Sequence, residues 1–357
     1  MTTVEERVQI AIDNWAPRFI ANGIDANDLQ QLTRGIQRWE DWYPAWSALA
    51  DVHARMGEEA EAQAHYESAG EHYFHAAMLY HFGKFMMVRH PGQLRAGHEL
   101  TVRTYLRGLP LYEFPGERIE ISYEDGHTIA AILRKPPHIA RPPLAILSPG
   151  LDSVKEELHN YSNDLLRRGV ATLAIDGPGQ GELESALPLR PDYEVPIRSI
   201  IDYLESRADI DATRIGMFGV SLGGFFALRA AAFEPRLKAT IMLAGAYNLA
   251  QHFDRYPLLT QEAFIYRLKA PDEAAARERL KAFTLDGVTG NITCPVLVII
   301  GRRDRLFPPE DSERIVAEIG ANADLWVFDD GNHVCNNIPY KYRPQQADWL
   351  RDALRAR

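Results

Sequence analysis

The chain has 357 residues, more than one folding unit usually needs, so two units, or one unit with a large appendage, are expected. Hydrophobic residues make up 46% and charged residues 25%, the ordinary balance of a soluble globular protein able to bury a full core. Lys plus Arg number 39 against 49 Asp plus Glu, and a net charge of −10 with no basic run argues against nucleic acid or anionic membrane as partners.

Two cysteines, Cys294 and Cys335, make neither a disulfide framework nor the spacing of a zinc site. Met1 to Trp15 carries Glu5, Glu6 and Asp13 and has no apolar leader core. No stretch approaches the length of a membrane span. The cytoplasm is the expected location.

Residues 1–115 read as helices. Asp41-Trp-Tyr-Pro-Ala-Trp46 opens an apolar-periodic run to about Met56. A second run, Glu59 to Val88, carries Tyr66, Tyr73, Phe74, Ala77, Met78, Tyr80, Phe82 and Phe85, many of them three or four apart. Pro91-Gly92 and Pro110 punctuate the remainder of this region. No repeat of fixed period is sustained.

From residue 116 to 357 strands and helices alternate. Arg118 to Tyr123 alternates with period two, Asp125-Gly126 supplies a turn, and Thr128 to Leu133 completes a hairpin. Leu144–Leu147, Val170–Ile175, Arg214–Phe218, Ala239–Leu243, Val296–Ile300 and Leu325–Phe328 are apolar strands, and amphipathic sequence such as Tyr193 to Arg207 separates them. This pattern predicts a mainly parallel sheet with helices on both faces. Residues 247–286 interrupt the rhythm with charged, helical sequence and read as a lid insertion.

Gly219-Val-Ser-Leu-Gly223 matches G-x-S-x-G. That turn lifts a serine hydroxyl above the sheet edge at a helix N-terminus, where free N–H groups favour negative charge. The pattern alone is common; its context is not. Ile215–Phe218 reads as a strand and Leu222–Ala230 as a helix, the order that the nucleophile elbow of an α/β-hydrolase requires. Ser221 is then the nucleophile.

It needs a base, and the base needs an acid. Two histidines lie beyond Ser221, and His252 comes before the candidate acid, out of order. His333, after the last strand, is the expected base. Asp304, in the loop after Val296–Gly301, is the expected acid, with Asp311 and Asp329 as alternatives.

The oxyanion hole should combine the N–H groups of Leu222 and Leu151. Ser153 and Glu156 have the spacing of a helix capping box, although Asp152 or Glu156 could instead touch substrate. His65, His72, His75 and His81 are expected on helix faces and not around a metal, since no H-E-x-x-H is present. Asp176-Gly-Pro-Gly-Gln-Gly181 lacks the marks of a phosphate loop and reads as a tight crossover. Cys335 reads as an inert small residue.

Gly150-Leu-Asp-Ser-Val-Lys-Glu-Glu157, Asp176-Gly-Pro-Gly-Gln-Gly-Glu182, the Gly219 elbow, Asp330-Gly-Asn-His333 and Trp39-Glu-Asp-Trp-Tyr-Pro-Ala-Trp46 together resemble the 2,6-dihydroxypseudooxynicotine hydrolase group, over nearly the whole chain. The resemblance implies an α/β-hydrolase that cleaves a carbon–carbon bond beside a carbonyl. It also implies a Ser221–Asp304–His333 triad and an N-terminal helical cap over the pocket. The group includes plain esterases too. A carbon leaving group must be protonated as it departs, by His333 or another donor, and Tyr247 and Tyr256 are candidates.

Three readings are open. The first is hydrolysis of a C–C bond in an aryl or polyketide-like ketone. The second is a carboxylesterase or acyl-peptide hydrolase with the same triad. The third is a non-catalytic binding module on a decayed hydrolase, which three filled triad positions oppose. No cofactor or metal is expected; the partner is a small-molecule substrate, with no nucleic acid and no membrane, and a homodimer is allowed.

Overall fold

The computed structural model describes residues 4–355. Met1–Thr3, the start of the stretch read for a leader, lie outside them. The chain divides into two compact units: residues 1–117 with Pro257–Ala263, and Arg118–Tyr256 with Phe264–Arg357.

The first unit is helical: α1 (Glu6–Ala21), α2 (Ala26–Gly35), α3 (Trp42–Ala62), α4 (Tyr66–Lys84) and α5 (Pro91–Gly108). Asp25 caps α2 by accepting the Asn27 N–H at 2.7 Å, and Pro91 opens α5 where its missing N–H costs nothing. Aromatic rings form the core. Phe19 packs at 4.6 Å from Phe82 and 5.3 Å from Trp46, and the Trp42 indole donates to the Phe82 carbonyl at 2.9 Å. The α3–α4 boundary differs from the sequence reading. The first helix runs on through Glu59 and stops at Ala62, and the turn passes through Ala64 at φ 59°. No glycine or proline marks that turn.

The second unit holds an eight-stranded sheet: β1 (Gly116–Ser122), β2 (Thr128–Arg134), β3 (Leu144–Ser148), β4 (Ala171–Ile175), β5 (Ile215–Val220), β6 (Leu237–Leu243), β7 (Val296–Gly301) and β8 (Ala323–Phe328). Their spatial order is β1-β2-β4-β3-β5-β6-β7-β8. From β4 to β8 every pairing is parallel, and β2 joins β4 antiparallel. The helices are α6 (His159–Leu166), α7 (Glu194–Glu205), α8 (Leu222–Phe233), α9 (Leu258–Arg267, which runs across the unit boundary), α10 (Glu273–Leu280), α11 (Pro309–Ile319) and α12 (Pro339–Arg355). One face of the sheet closes under α6 and α12, where Tyr161, Leu165, Tyr342, Leu350 and Leu354 pack on Leu147, Phe218 and Ile241. Among the described residues, no helix is long and apolar enough to cross a membrane.

Register decides where function can sit. Ser148 lies beside Gly219, Val220 beside Leu243, Leu243 beside Ile299, and Gly301 beside Phe328. The strands therefore end together, and the loops after β3, β5, β7 and β8 emerge along one edge. The chain reverses direction across the sheet between β3 and β5, the crevice where open parallel sheets place their ligands.

The loop after β3 is held by buried charge. Lys155 has a fully buried side chain, and its ammonium lies 2.8 Å from Asp176, 2.7 Å from Glu182 and 2.8 Å from Glu156. Arg118 adds a bidentate pair to Glu182 at 2.6 and 2.9 Å. Burial alone would raise the Glu182 pKa, but Arg118 and Lys155 outweigh it and hold the carboxyl below its usual range. Lys155→Met strands Asp176 and Glu156 in the interior without their cation. It is expected to cost about 3–5 kcal/mol in urea unfolding, and a loss under about 1 kcal/mol would show that the cluster does not hold the loop.

Candidate active site

Ser221 occupies the turn from β5 into α8 at φ 58°, ψ −119°, a conformation that non-glycine residues rarely adopt. Its N–H is tied to Leu243 O at 2.8 Å, and its side chain makes no cap bond to the helix that it starts. The flanking residues must be small. A Cβ on Gly219 would lie 1.9 Å from Gly223 O, and one on Gly223 would lie 2.3 Å from Ser148 O.

The hydroxyl thus freed meets His333. Ser221 Oγ is 2.9 Å from His333 Nε2, and His333 Nδ1 is 2.7 Å from Asp304 Oδ2. A carboxylate can only accept, so Nδ1 carries the proton and Nε2 is free to accept from the serine. Asp304 is buried, and its other oxygen accepts the N–H groups of Leu306 at 2.8 Å and Phe307 at 3.0 Å. Its loop is stitched to the His333 loop by Arg303 N–H to Gly331 O at 2.9 Å. Both alternative acids are occupied elsewhere. Asp311 takes the His252 Nε2 and the Tyr247 N–H, each at 2.8 Å, and Asp329 pairs with Arg302 at the surface.

Leu222 is the first residue of α8, where no preceding turn offers its N–H an acceptor. The loop after β3 runs beside the serine: a Cβ on Gly150 would lie 3.3 Å from Ser221 Cβ and 3.8 Å from Ser221 Oγ. Leu151, next in that loop, is buried. Asp152 is buried in the same turn.

One expectation is corrected. Ser153 and Glu156 form no capping box: the turn is a 3-10 helix that begins at Lys155, after an uncapped Val154. Ser153 Oγ instead donates to Glu157 at 2.5 Å, and Glu156 turns to the Lys155 ammonium, because a buried carboxyl gains more from a cation than from a backbone N–H. The Tyr247 hydroxyl lies against Asp286 at 3.1 Å and Glu318 at 3.2 Å, under the Arg314 guanidinium, and is not brought to His333. Tyr256 is nearer, its ring edge-on to Phe307, but its hydroxyl donates to Leu249 O at 3.1 Å.

Phe307, which no sequence signal marks, stands edge-on to the His333 ring with centroids 5.4 Å apart. Cys335 is a buried thiol that burial, with Asp304 and Asp330 near it, pushes up to about 12, far from a reactive thiolate.

A parallel sheet whose elbow serine, histidine and aspartate converge at its C-terminal edge defines an α/β-hydrolase. The family comparison agrees: residues 25–355 match the FrsA-like family, described as "Esterase FrsA-like", and the chain belongs to it. It is 33% identical over 348 residues to the 2,6-dihydropseudooxynicotine hydrolase of Paenarthrobacter nicotinovorans, covering 96% of this chain and 92% of that one. The crystal structure of a 2,6-dihydroxy-pseudo-oxynicotine hydrolase superposes with a TM-score of 0.88 at 32% identity, over 96% of each chain. The α/β-hydrolase xenA of Xenoacremonium sinensis is 31% identical over 244 residues, 64% of this chain and 57% of its own length. The chain is a hydrolase of this type.

The strain at Ser221 can be measured. Glycine tolerates its backbone angles, relieving about 1–3 kcal/mol, against about 0.4–1 kcal/mol lost to a freer unfolded chain. Ser221→Gly is therefore expected to be more stable than Ser221→Ala by about 1 kcal/mol in denaturant unfolding; the reverse order would mean that the turn is unstrained.

Proposed function

We propose that the chain is a serine hydrolase with a Ser221–His333–Asp304 triad, acting on a C–C bond next to a carbonyl in an aryl or polyketide-like ketone. The observation that carries the mechanism is the unbroken line from Ser221 Oγ through His333 to Asp304, at 2.9 and 2.7 Å. Ser221 Oγ bonds to the carbonyl carbon while His333 Nε2 takes the hydroxyl proton, and Asp304 stabilises the imidazolium. The N–H groups of Leu222 and Leu151 hold the oxyanion.

When the adduct collapses, the C–C bond breaks and its electron pair leaves on carbon. His333 returns the proton to that carbon, so no further donor is needed, and Tyr247 and Tyr256 drop out of the scheme. Water then attacks the acyl–Ser221 ester with His333 as base, releasing a carboxylic acid. The net reaction adds one water across one C–C bond.

The ketone substrate class is supported by the 2,6-dihydropseudooxynicotine hydrolase name of a relative that matches along 96% of this chain. The second reading, a carboxylesterase with the same triad, is supported by the esterase description of the family. A reducing compartment such as the cytoplasm suits two buried cysteines kept as thiols.

A panel of aryl β-diketones and activated aryl esters separates the two readings. The ketone reading expects diketone cleavage with release of a carboxylic acid, and rapid ester turnover with every diketone untouched would replace it by the esterase. On the better substrate, Ser221→Ala abolishes turnover with the fold intact, and Asp304→Asn, which leaves His333 in the wrong tautomer, lowers kcat by on the order of 10³–10⁴. Undiminished turnover in either variant would remove the triad.

A further inference from the structure

The glycine-rich stretch after β4, Asp176-Gly-Pro-Gly-Gln-Gly-Glu182, carries a fully buried amide, Gln180. Gln180 Nε2 donates to two carbonyls, Pro149 O at 2.8 Å and Gly150 O at 2.9 Å. Its Oε1 accepts the Tyr193 hydroxyl at 2.9 Å. Burial raises the Tyr193 pKa above the usual phenol range, so that hydroxyl stays a donor. Two carbonyls on one side and a phenol on the other leave the amide a single orientation. Tyr193 is itself fixed, stacked on Phe226 with centroids 3.8 Å and ring planes 4° apart.

Those two carbonyls belong to the peptide groups that carry the Gly150 and Leu151 N–H groups. A trans peptide is planar, and its C=O and N–H point in opposite directions. Anchoring Gly150 O on Gln180 turns the Leu151 N–H the other way, and anchoring Pro149 O does the same for the Gly150 N–H. Gly150 is also the residue packed against Ser221. A second grip lies downstream, where Asp176 accepts the Lys155 N–H at 2.9 Å and its ammonium at 2.8 Å. Gly181, at φ +46°, permits the close turn: a Cβ there would lie 2.1 Å from the Asp176 carboxylate.

We infer that Gln180 is a positioning residue for the oxyanion hole, clamping the Pro149–Gly150 carbonyls so that the Leu151 N–H is aimed before substrate arrives. The inference rests on the Ser221 mechanism proposed above. It gives the glycine-rich stretch a part in transition-state stabilisation, acting through the backbone and without contact to substrate.

Two variants test it, with p-nitrophenyl acetate, or an aryl β-diketone where the ester is not turned over, as substrate and benzeneboronic acid as a mimic of the tetrahedral adduct. Gln180→Met keeps the length and removes both donors; it is expected to lower kcat about 100-fold with KM changed less than about twofold. Tyr193→Phe leaves both donors but unlocks the amide, and is expected to lower kcat about tenfold, on the same grounds. Boronate affinity should fall in step with kcat. A merely structural Gln180 would lower the unfolding midpoint and leave kcat per folded molecule and boronate affinity unchanged, and that result overturns the inference. Should Gln180→Met fail to fold, the milder Tyr193→Phe decides by the same readouts. A wild-type protein that cleaves neither the ester nor a diketone and does not bind the boronate removes the serine mechanism and the clamp with it, whereas an active wild type with unaltered variants removes the clamp alone.

Discussion

A serine held at φ 58°, ψ −119° is the constraint on which the site depends. Such a backbone costs on the order of 1–3 kcal/mol and persists only where its surroundings over-determine it. Here they do so from three sides. The Ser221 N–H is bonded to β6, α8 begins at the next residue, and the glycines on either side allow backbone carbonyls to close within distances that no Cβ could share. The outcome is a hydroxyl that makes no cap bond to its own helix. It points instead at His333, whose loop is tied to the Asp304 loop through Gly331. Strain at one residue is thus set against the packing of four strand ends.

The same logic governs the other side of the crevice. The loop after β3 carries buried polar groups close to Ser221, and buried polar groups are costly unless each is partnered. Gln180 satisfies two of its carbonyls, and Asp176, Glu156 and Glu182 surround Lys155. An ion cluster of this kind is poor evidence for net stability, because the desolvation of each charge offsets most of the attraction. It is better evidence for position. The arrangement tolerates little displacement before a charge is left alone, so the loop is kept in place beside Ser221, as the proposed oxyanion hole requires.

Much of this was legible in the sequence because it is periodic or local. All eight strands were visible as apolar or alternating runs, and the elbow as strand, turn and helix in order. The pairing of Ser221 with His333, 2.9 Å apart, is readable from order along the chain and from the shortage of rival histidines. Asp304 competed with two nearby aspartates, and three-dimensional partners separate them: Arg302 draws Asp329 to the surface, and His252 with the Tyr247 N–H draws Asp311 away. The Ala64 turn is not legible, because an alanine in the left-handed region leaves no mark in composition. The Ser153–Glu156 spacing misled for the opposite reason: a correct local pattern was overridden by a lysine that local rules do not weigh. Gln180 sat inside a motif read for its glycines, and what it holds is about thirty residues away in sequence.

Everything proposed for the reaction converges on one atom, Ser221 Oγ. The most direct measurement is the intact mass of the native protein after brief exposure to a fluorophosphonate, followed by peptide mapping of the adduct. One equivalent of phosphonate, carried on the peptide containing Ser221, is the predicted result. A folded protein that stays unlabelled, or one that carries the adduct on another residue, would contradict the account at its centre.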